Sequence, residues 1–245
     1  MKKRDEVIRL VDVKKYYQLG DSTVKALDGI DILVRRGEFI AIMGPSGSGK
    51  STAMNMIGSL DTPTHGSVFL DGEDISKLSE SRLAQLRGKK IGFIFQQFNL
   101  IPNLTAIENV ALPLLFQGVD ESKRLIKAKN LLSLIELEDR INHYPNQLSG
   151  GQQQRVAIAR SLSNEPEVIL ADEPTGNLDT KTGKIVMDFL DNMHKQNKTI
   201  VMVTHDPNLA IQHADKVYWI IDGKVSKITQ KQDGKWTQVK KQEMI

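Results

Sequence analysis

Gly44-Pro45-Ser46-Gly47-Ser48-Gly49-Lys50-Ser51 satisfies the pattern G-x-x-x-x-G-K-[ST] at every fixed position. Each residue type serves a phosphate. Glycines let backbone N–H groups curl around anionic oxygens, the lysine reaches the terminal phosphates, and the serine hydroxyl can hold Mg²⁺. Residues 38–43 predict a buried strand entering the loop, and residues 52–57 the helix leaving it, its N-terminus aimed at the anion. A turn that only connects two elements needs none of this order. The stretch is read as a nucleotide site.

Two other apolar runs end in groups able to act on a bound nucleotide. Val168-Ile169-Leu170-Ala171 ends in Asp172-Glu173, and residues 199–203 end in Thr204-His205. In open α/β sheets ligands sit at the carboxyl ends of the strands, so three parallel strands would bring these ends to one edge. The carboxylates then differ in role. Asp172, last in the apolar run, sits where a carboxylate holds Mg²⁺ through water. Glu173 projects one residue further and can orient the attacking water or take its proton. His205 alone reads more readily as a structural histidine. His65, His143, His194 and His213 lack metal-ligand spacing.

The elements that must position these groups follow from the rest of the chain. The 245 residues are 40% hydrophobic and 26% charged, the composition of a globular protein rather than a disordered one. A net charge of +3 is too small to argue for nucleic acid, and the lack of cysteine excludes disulfides, zinc ribbons and thiol chemistry. The charged start, Met1-Lys2-Lys3-Arg4, is not followed by a signal-peptide core, and no apolar run reaches the ~20 residues of a bilayer span. The chain is expected not to cross a membrane by itself.

Residues 7–13 predict an edge strand, and 25–34 a second strand broken at Asp28-Gly29. Asp71-Gly72 signals a hairpin after a strand at 67–70, and 91–95 is a buried strand ending at Gln96. Helical spacing at 105–116 and 121–137, with no strand between Leu100 and Glu167, predicts a helical insertion. A helix at 182–196 and a closing hairpin, 216–221 with 224–228 across Asp222-Gly223, complete the pattern. The expected layout is one domain over 5–228, with its core at about 5–96 and 166–228 and the insertion at about 97–165. A polar, lysine-rich and loosely ordered tail at 229–245, including Lys240 and Lys241, is expected to follow.

Leu148-Ser149-Gly150-Gly151-Gln152 adds a second anion site, made by N–H groups at a helix N-terminus. One monomer has no need of two phosphate sites so far apart in the chain. The pentapeptide resembles the signature of ABC-type ATPases, and the resemblance covers essentially residues 5–228. It implies an α/β fold: a P-loop NTPase (RecA-like) core with an antiparallel β subdomain and an inserted α-helical subdomain.

It also implies site roles. Gly44–Ser51 and Thr52 would bind ATP, and Tyr17 resembles the aromatic that stacks on adenine, with Tyr16 its competitor. Gln96 is similar to the glutamine loop, Asp172 and Glu173 to the Walker B pair, Asp179 to the D-loop at the dimer interface, and His205 to the switch histidine. Glu173, His205 and Gln96 would be catalytic, with Ser51, Gln96 and Asp172 around Mg²⁺. In such ATPases two subunits sandwich two ATP molecules head to tail. Ser149, Gly150, Gly151 and Gln152 would then contact ATP held by a second copy of the chain.

Phe95-Gln96-Gln97-Phe98-Asn99-Leu100-Ile101-Pro102, Glu108-Asn109-Val110 and the stretch from Leu170 to Asp179 resemble the MacB/LolD/FtsE group. That resemblance implies export or extraction of lipoproteins, peptides or antibiotics. The membrane permease would be a separate chain docking at the helical subdomain and glutamine loop, with room for a periplasmic or extracellular adaptor. The ATPase would lie peripherally on the cytoplasmic face of the membrane, without nucleic acid. The alternatives are the ATPase of a small-molecule importer, for instance for polar amino acids, and a soluble ABC ATPase acting on ribosomes or DNA. The Leu-Leu-Asp-Glu-Pro and Ser-Ala-Leu-Asp motifs of many importers are missing, as are tandem units and a coiled coil.

Overall fold

The computed structural model describes residues 5–239. They fall into two compact units, one holding the chain up to Leu83 and again from Asp191, the other running from Ala84 to Leu190. The second unit holds the strands around residues 91 and 168 together with the helices between them.

In the first unit β1 (Glu6–Leu19) pairs antiparallel with β2 (Ser22–Arg35) on one side and β4 (His65–Leu70) on the other. The short β5 (Glu73–Asp74) pairs with β4 across Asp71-Gly72, as that dipeptide predicts. β1 is therefore an interior strand and not the expected edge. Its half-buried alternation reflects a sheet covered on one face. β2 runs unbroken through Asp28-Gly29, where Gly29 takes φ 89°.

A second sheet holds β3 (Phe39–Met43), whose five residues are all buried, between β8 (Thr199–Val203) and β9 (Lys216–Ile221), both parallel to it. A continuous apolar run is what a strand covered on both faces requires. Beyond β9 come β10 (Lys224–Gln232) and β11 (Lys235–Val239), both antiparallel to their neighbours. Residues 229–239, expected to be loosely ordered, are therefore two paired strands joined by a turn at 233–234. Their polar side chains report exposure, while the backbone pairs from Ile228↔Val239 to Gln232↔Lys235. Lys240 and Lys241 lie outside the described residues.

The unit also carries α1 (Lys50–Ile57) and α7 (Pro207–His213), the latter begun by Asp206 accepting from the Asn208 N–H at 2.8 Å. Sequence periodicity misses α7, which is only seven residues long. It also misses α2 (Glu80–Lys90), whose polar composition hides its two core residues, Leu83 and Leu86.

In the second unit β6 (Ile91–Ile94) and β7 (Val168–Asp172) are parallel. Helices α3 (Ala106–Phe116), α4 (Glu121–Leu134) and α5 (Gly150–Leu162) close on a core of Val110, Leu132, Val156 and Ala159, all fully buried. Thr105 and Glu108 form a reciprocal cap on α3. Helix α6 (Thr180–Lys195) runs from this unit into the first. Among the described residues no helix is long and apolar enough to cross a membrane.

Candidate functional site

The phosphate loop leaves β3 at Met43 and enters α1 through Gly49, the helix N-cap, at φ 103° and ψ 5°. Two of its glycines are dictated by close approach. A Cβ on Gly44 would stand 2.0 Å from the Ile220 carbonyl oxygen, and one on Gly49 2.3 Å from that of Ala26. Pro45, Ser46 and Gly47 are exposed at the tip, whereas Ser48 and Lys50 are buried. Lys50 Nζ donates to the Pro45 carbonyl at 2.8 Å, which folds the cation across the loop. Ser48 Oγ is buried and, among the described residues, has no hydrogen-bond partner. The first turn of α1 holds no acidic residue, so its N–H groups and Lys50 present only positive potential. These residues fit a polyphosphate.

Tyr17 is tied to the segment just after this helix. Its hydroxyl donates to Asp61 at 2.9 Å. Lys15 Nζ donates to the same carboxylate at 2.7 Å and lies 5.0 Å from the Tyr17 ring centroid. Burial, then the Asp61 bond, push the Tyr17 phenol above its ordinary range. At Asp61 burial opposes ionisation, but bonds from Lys15 and Tyr17 outweigh it and hold the carboxyl below the usual range. Tyr16 is engaged elsewhere, donating to Asp28 at 2.6 Å with His65 edge-on to its ring.

β8 runs parallel to β3 with Ile42 opposite Val203, and the Thr204 N–H donates to the Ile42 carbonyl at 3.2 Å. His205 therefore leaves the same sheet edge as Gly44, with its side chain exposed.

In the second unit the register Ile94↔Ala171 brings Gln96 and Asp172-Glu173 off one edge. Glu173 takes φ 43°, an unusual conformation for a residue with a side chain and one that costs on the order of 1–3 kcal/mol. The turn is closed by Gly176 N–H donating to the Glu173 carbonyl at 3.0 Å. A Cβ on Gly176 would meet Gln96 Nε2 at 2.9 Å and Glu173 Oε2 at 3.4 Å, so amide and carboxylate flank one glycine. Asn177 Nδ2 donates to the Gln96 carbonyl at 3.0 Å.

Ser149 caps α5 reciprocally. Its Oγ accepts from the Gln152 N–H at 3.3 Å, while Gln152 Oε1 accepts from the Ser149 N–H at 2.9 Å. The first-turn N–H groups of Gly150 and Gly151 have no intrahelical partner, as at any helix start. Gly150 lies beside the Phe98 ring and Gly151 against Thr182. Thr182 binds Asp179 through its N–H at 3.0 Å and its hydroxyl at 2.7 Å, and the hydroxyl bond is the first cause of a lowered Asp179 carboxyl pKa.

Each unit thus gathers part of the predicted set. Tyr17, residues 44–52 and His205 belong to the first unit, and Gln96, residues 149–152, Asp172, Glu173 and Asp179 to the second. Sequence reasoning missed Asp61 and Thr182. Asp61 reads only as the start of a breaker cluster, and Thr182 as a helix residue, because their roles arise from partners distant in the chain. The residues assigned to Mg²⁺, Ser51, Gln96 and Asp172, offer a hydroxyl, an amide and a single carboxylate. That sparse oxygen set suits an ion which keeps waters and takes phosphate oxygens.

The profile of the family described as ABC transporter matches residues 27–176. An uncharacterized ABC transporter ATP-binding protein of Thermotoga maritima is 52% identical over 223 residues, covering 91% of this chain and 95% of its own. A macrolide export ATP-binding/permease protein, MacB, of Brucella melitensis is 50% identical over 227 residues, which are 93% of this chain but 35% of that protein. The cassette MJ0796 of Methanocaldococcus jannaschii, solved as a dimer in a post-hydrolysis state bound to ADP and Pi, superposes with a TM-score of 0.85 at 47% identity, covering 91% of this chain and 98% of that one. Phosphate loop, strand-end carboxylates and signature turn stand within these matches, and the chain belongs to the ABC transporter ATP-binding family.

Proposed function

We propose that this protein hydrolyses ATP between two copies of itself and so drives a separate membrane permease, in a MacB/LolD-like system that exports or extracts lipoproteins, peptides or antibiotics. The observation that carries the reading is the strained Glu173 turn, with Gln96 and Glu173 set against the same glycine. A carboxylate so held can accept a proton from water while the neighbouring amide senses the same site. Lys50 and the N–H groups of residues 47–51 would grip the phosphates, and Tyr17, steadied by Asp61, would stack on adenine. When bound, Mg²⁺ neutralises charge on the phosphates. The Ser149 hydroxyl and the Gly150 and Gly151 N–H groups of one copy would close on the γ-phosphate held by the other, with Asp179 at the same interface and His205 facing that phosphate.

The known dimer of the MJ0796 cassette supports the two-copy arrangement. The MacB name, that of an ATP-binding and permease protein, supports coupling to a membrane permease. Glu173→Gln should keep ATP affinity, lower turnover by about 10²-fold or more, and accumulate an ATP-bound dimer on gel filtration. Adding Ser149→Arg should abolish that dimer. Wild-type turnover in Glu173→Gln overturns the catalytic assignment, and a normal dimer in the double variant overturns closure between copies.

A further inference from the structure

Three hairpins of this chain turn on an Asp-Gly pair with positive φ at both residues: Asp71-Gly72 (51°, 80°), Asp222-Gly223 (47°, 71°) and Asp233-Gly234 (50°, 76°). Locally they are the same turn, and each needs its glycine for the same reason. Their surroundings differ. Gly72 and Gly234 are exposed, and a Cβ on either would meet nothing within 4 Å. Gly223 is buried, and a Cβ there would stand 2.9 Å from the Ala26 carbonyl oxygen and 3.1 Å from Leu27 Cα.

The close approach is used. The Gly223 N–H donates to the Ser48 carbonyl at 2.9 Å, and the Gly223 carbonyl accepts from the Asp28 N–H at 2.9 Å. One residue of the β9–β10 turn thus bridges the phosphate loop and β2. The contact is reinforced on each side. The strand leading into the turn presents the Ile220 carbonyl to Gly44, and the residue after it, Lys224, pairs with Asp28 at 3.2 Å. Gly49, at the far end of the loop, meets the same Ala26 carbonyl as Gly223. The loop is braced by backbone from outside its own motif at Gly44, Ser48 and Gly49.

The geometry points to Gly223 as a positioning residue for ATP: by bonding Ser48 it sets the curvature of the loop whose N–H groups receive the phosphates. The inference rests on the proposed nucleotide role of that loop. Any side chain at 223 must push the turn away from Ala26 and draw Ser48 with it. A displacement on the order of 1 Å at a positioned group costs on the order of 10²-fold.

Gly234→Ala is the internal control, because it imposes the same φ strain on an identical turn that touches neither the loop nor β2. Gly223→Ala should raise the ATP dissociation constant by about tenfold or more over Gly234→Ala, measured by calorimetry on the full chain at equal fraction folded. Equal affinities in the two variants overturn the inference. Should Gly223→Ala not fold, wild-type hydrogen exchange decides. Saturating ATP should slow exchange of peptide 220–225 and leave peptide 231–236 unchanged, and no slowing at 220–225 overturns the inference. Failure of the wild-type protein itself to bind ATP would instead overturn the nucleotide reading.

Discussion

Gly151 of helix α5 and Thr182 of helix α6 meet so closely that a Cβ on the glycine would stand 2.6 Å from the threonine Cγ2. Thr182 in turn holds Asp179 by two hydrogen bonds, so the signature turn and the Asp179 loop are mechanically one object within the second unit. Replacing Gly151 by Ala should displace Thr182 and cost about 1–3 kcal/mol in urea unfolding, as overpacking does. ATP hydrolysis should fall more than ATP affinity, since the phosphate loop lies in the other unit. Adding Thr182→Ala should recover most of the lost stability. If the two substitutions were additive in stability, the contact would not be the cause.

A second handle on the same unit is Asn109, fully buried in α3. Its Nδ2 donates to the carbonyls of Ile101 at 3.1 Å, Leu104 at 2.9 Å and Thr105 at 3.0 Å, and its Oδ1 accepts from the Ile101 N–H at 2.8 Å. One side chain thereby ties together the Ile101–Thr105 turn that leads into the helix. Asn109→Leu is close in size but takes the partner from the Ile101 N–H and the Leu104 carbonyl, at about 1–3 kcal/mol for each buried one, while the Ile101 and Thr105 carbonyls keep the backbone N–H groups of Leu104 at 3.1 Å and of residue 109 at 2.9 Å. Denaturant unfolding should show a loss of about 3 kcal/mol, with faster proteolysis around 99–105. A loss below about 1 kcal/mol would mean water takes over the bonds.

What could be read in advance follows the distance between partners. The phosphate loop is legible because its function needs eight consecutive residues of fixed type, and β3 because burial on both faces leaves a continuous apolar run. The Asp222-Gly223 hairpin was equally visible, but not its grip on Ser48, since nothing at position 223 distinguishes it from position 234 except what lies across from it. Position β1 at a sheet edge and its alternation looks the same as in the interior strand it is. The 229–239 strands were hidden by lysines that face water while their backbone pairs. Asp61 has the composition of a loop residue, and only the folded chain places Lys15 and Tyr17 on its carboxylate.

Asp61 also gives a pH signature. Its carboxyl is held below the usual range, so the folded-state pKa lies under the unfolded value of about 3.9. A depressed carboxylate contributes stability that is fully present above the unfolded pKa and is lost as pH falls through the folded one. The stability gap between wild type and Asp61→Asn should therefore be constant above about pH 5 and narrow steadily below about pH 4. Chemical denaturation at a series of pH values measures it. A gap unchanged down to about pH 2 would show that the Asp61 contribution is packing rather than charge.

The strand that delivers the phosphate loop is anchored at its other end by an ion pair. Lys216 is fully buried, and its Nζ donates to Glu38 at 2.9 Å, while the second oxygen of Glu38 accepts from the Arg35 N–H at 2.7 Å. Lys216 begins β9 opposite Ile40 of β3, so the pair ties the two parallel strands together just where they enter the sheet. Lys216→Met keeps the volume but leaves Glu38 with only the Arg35 backbone and its guanidinium at 3.6 Å. Removing one partner of a buried pair costs about 3–5 kcal/mol, and Glu38, being slightly exposed, places this case near the lower end. Glu38→Gln/Lys216→Met removes both charges and should cost less than Lys216→Met alone, because no uncompensated charge stays behind. A double-mutant cycle in urea reads the coupling directly. Simple additivity would show that Lys216 acts through its aliphatic stem, and ATP affinity would then follow packing of β9 rather than the charge at Glu38.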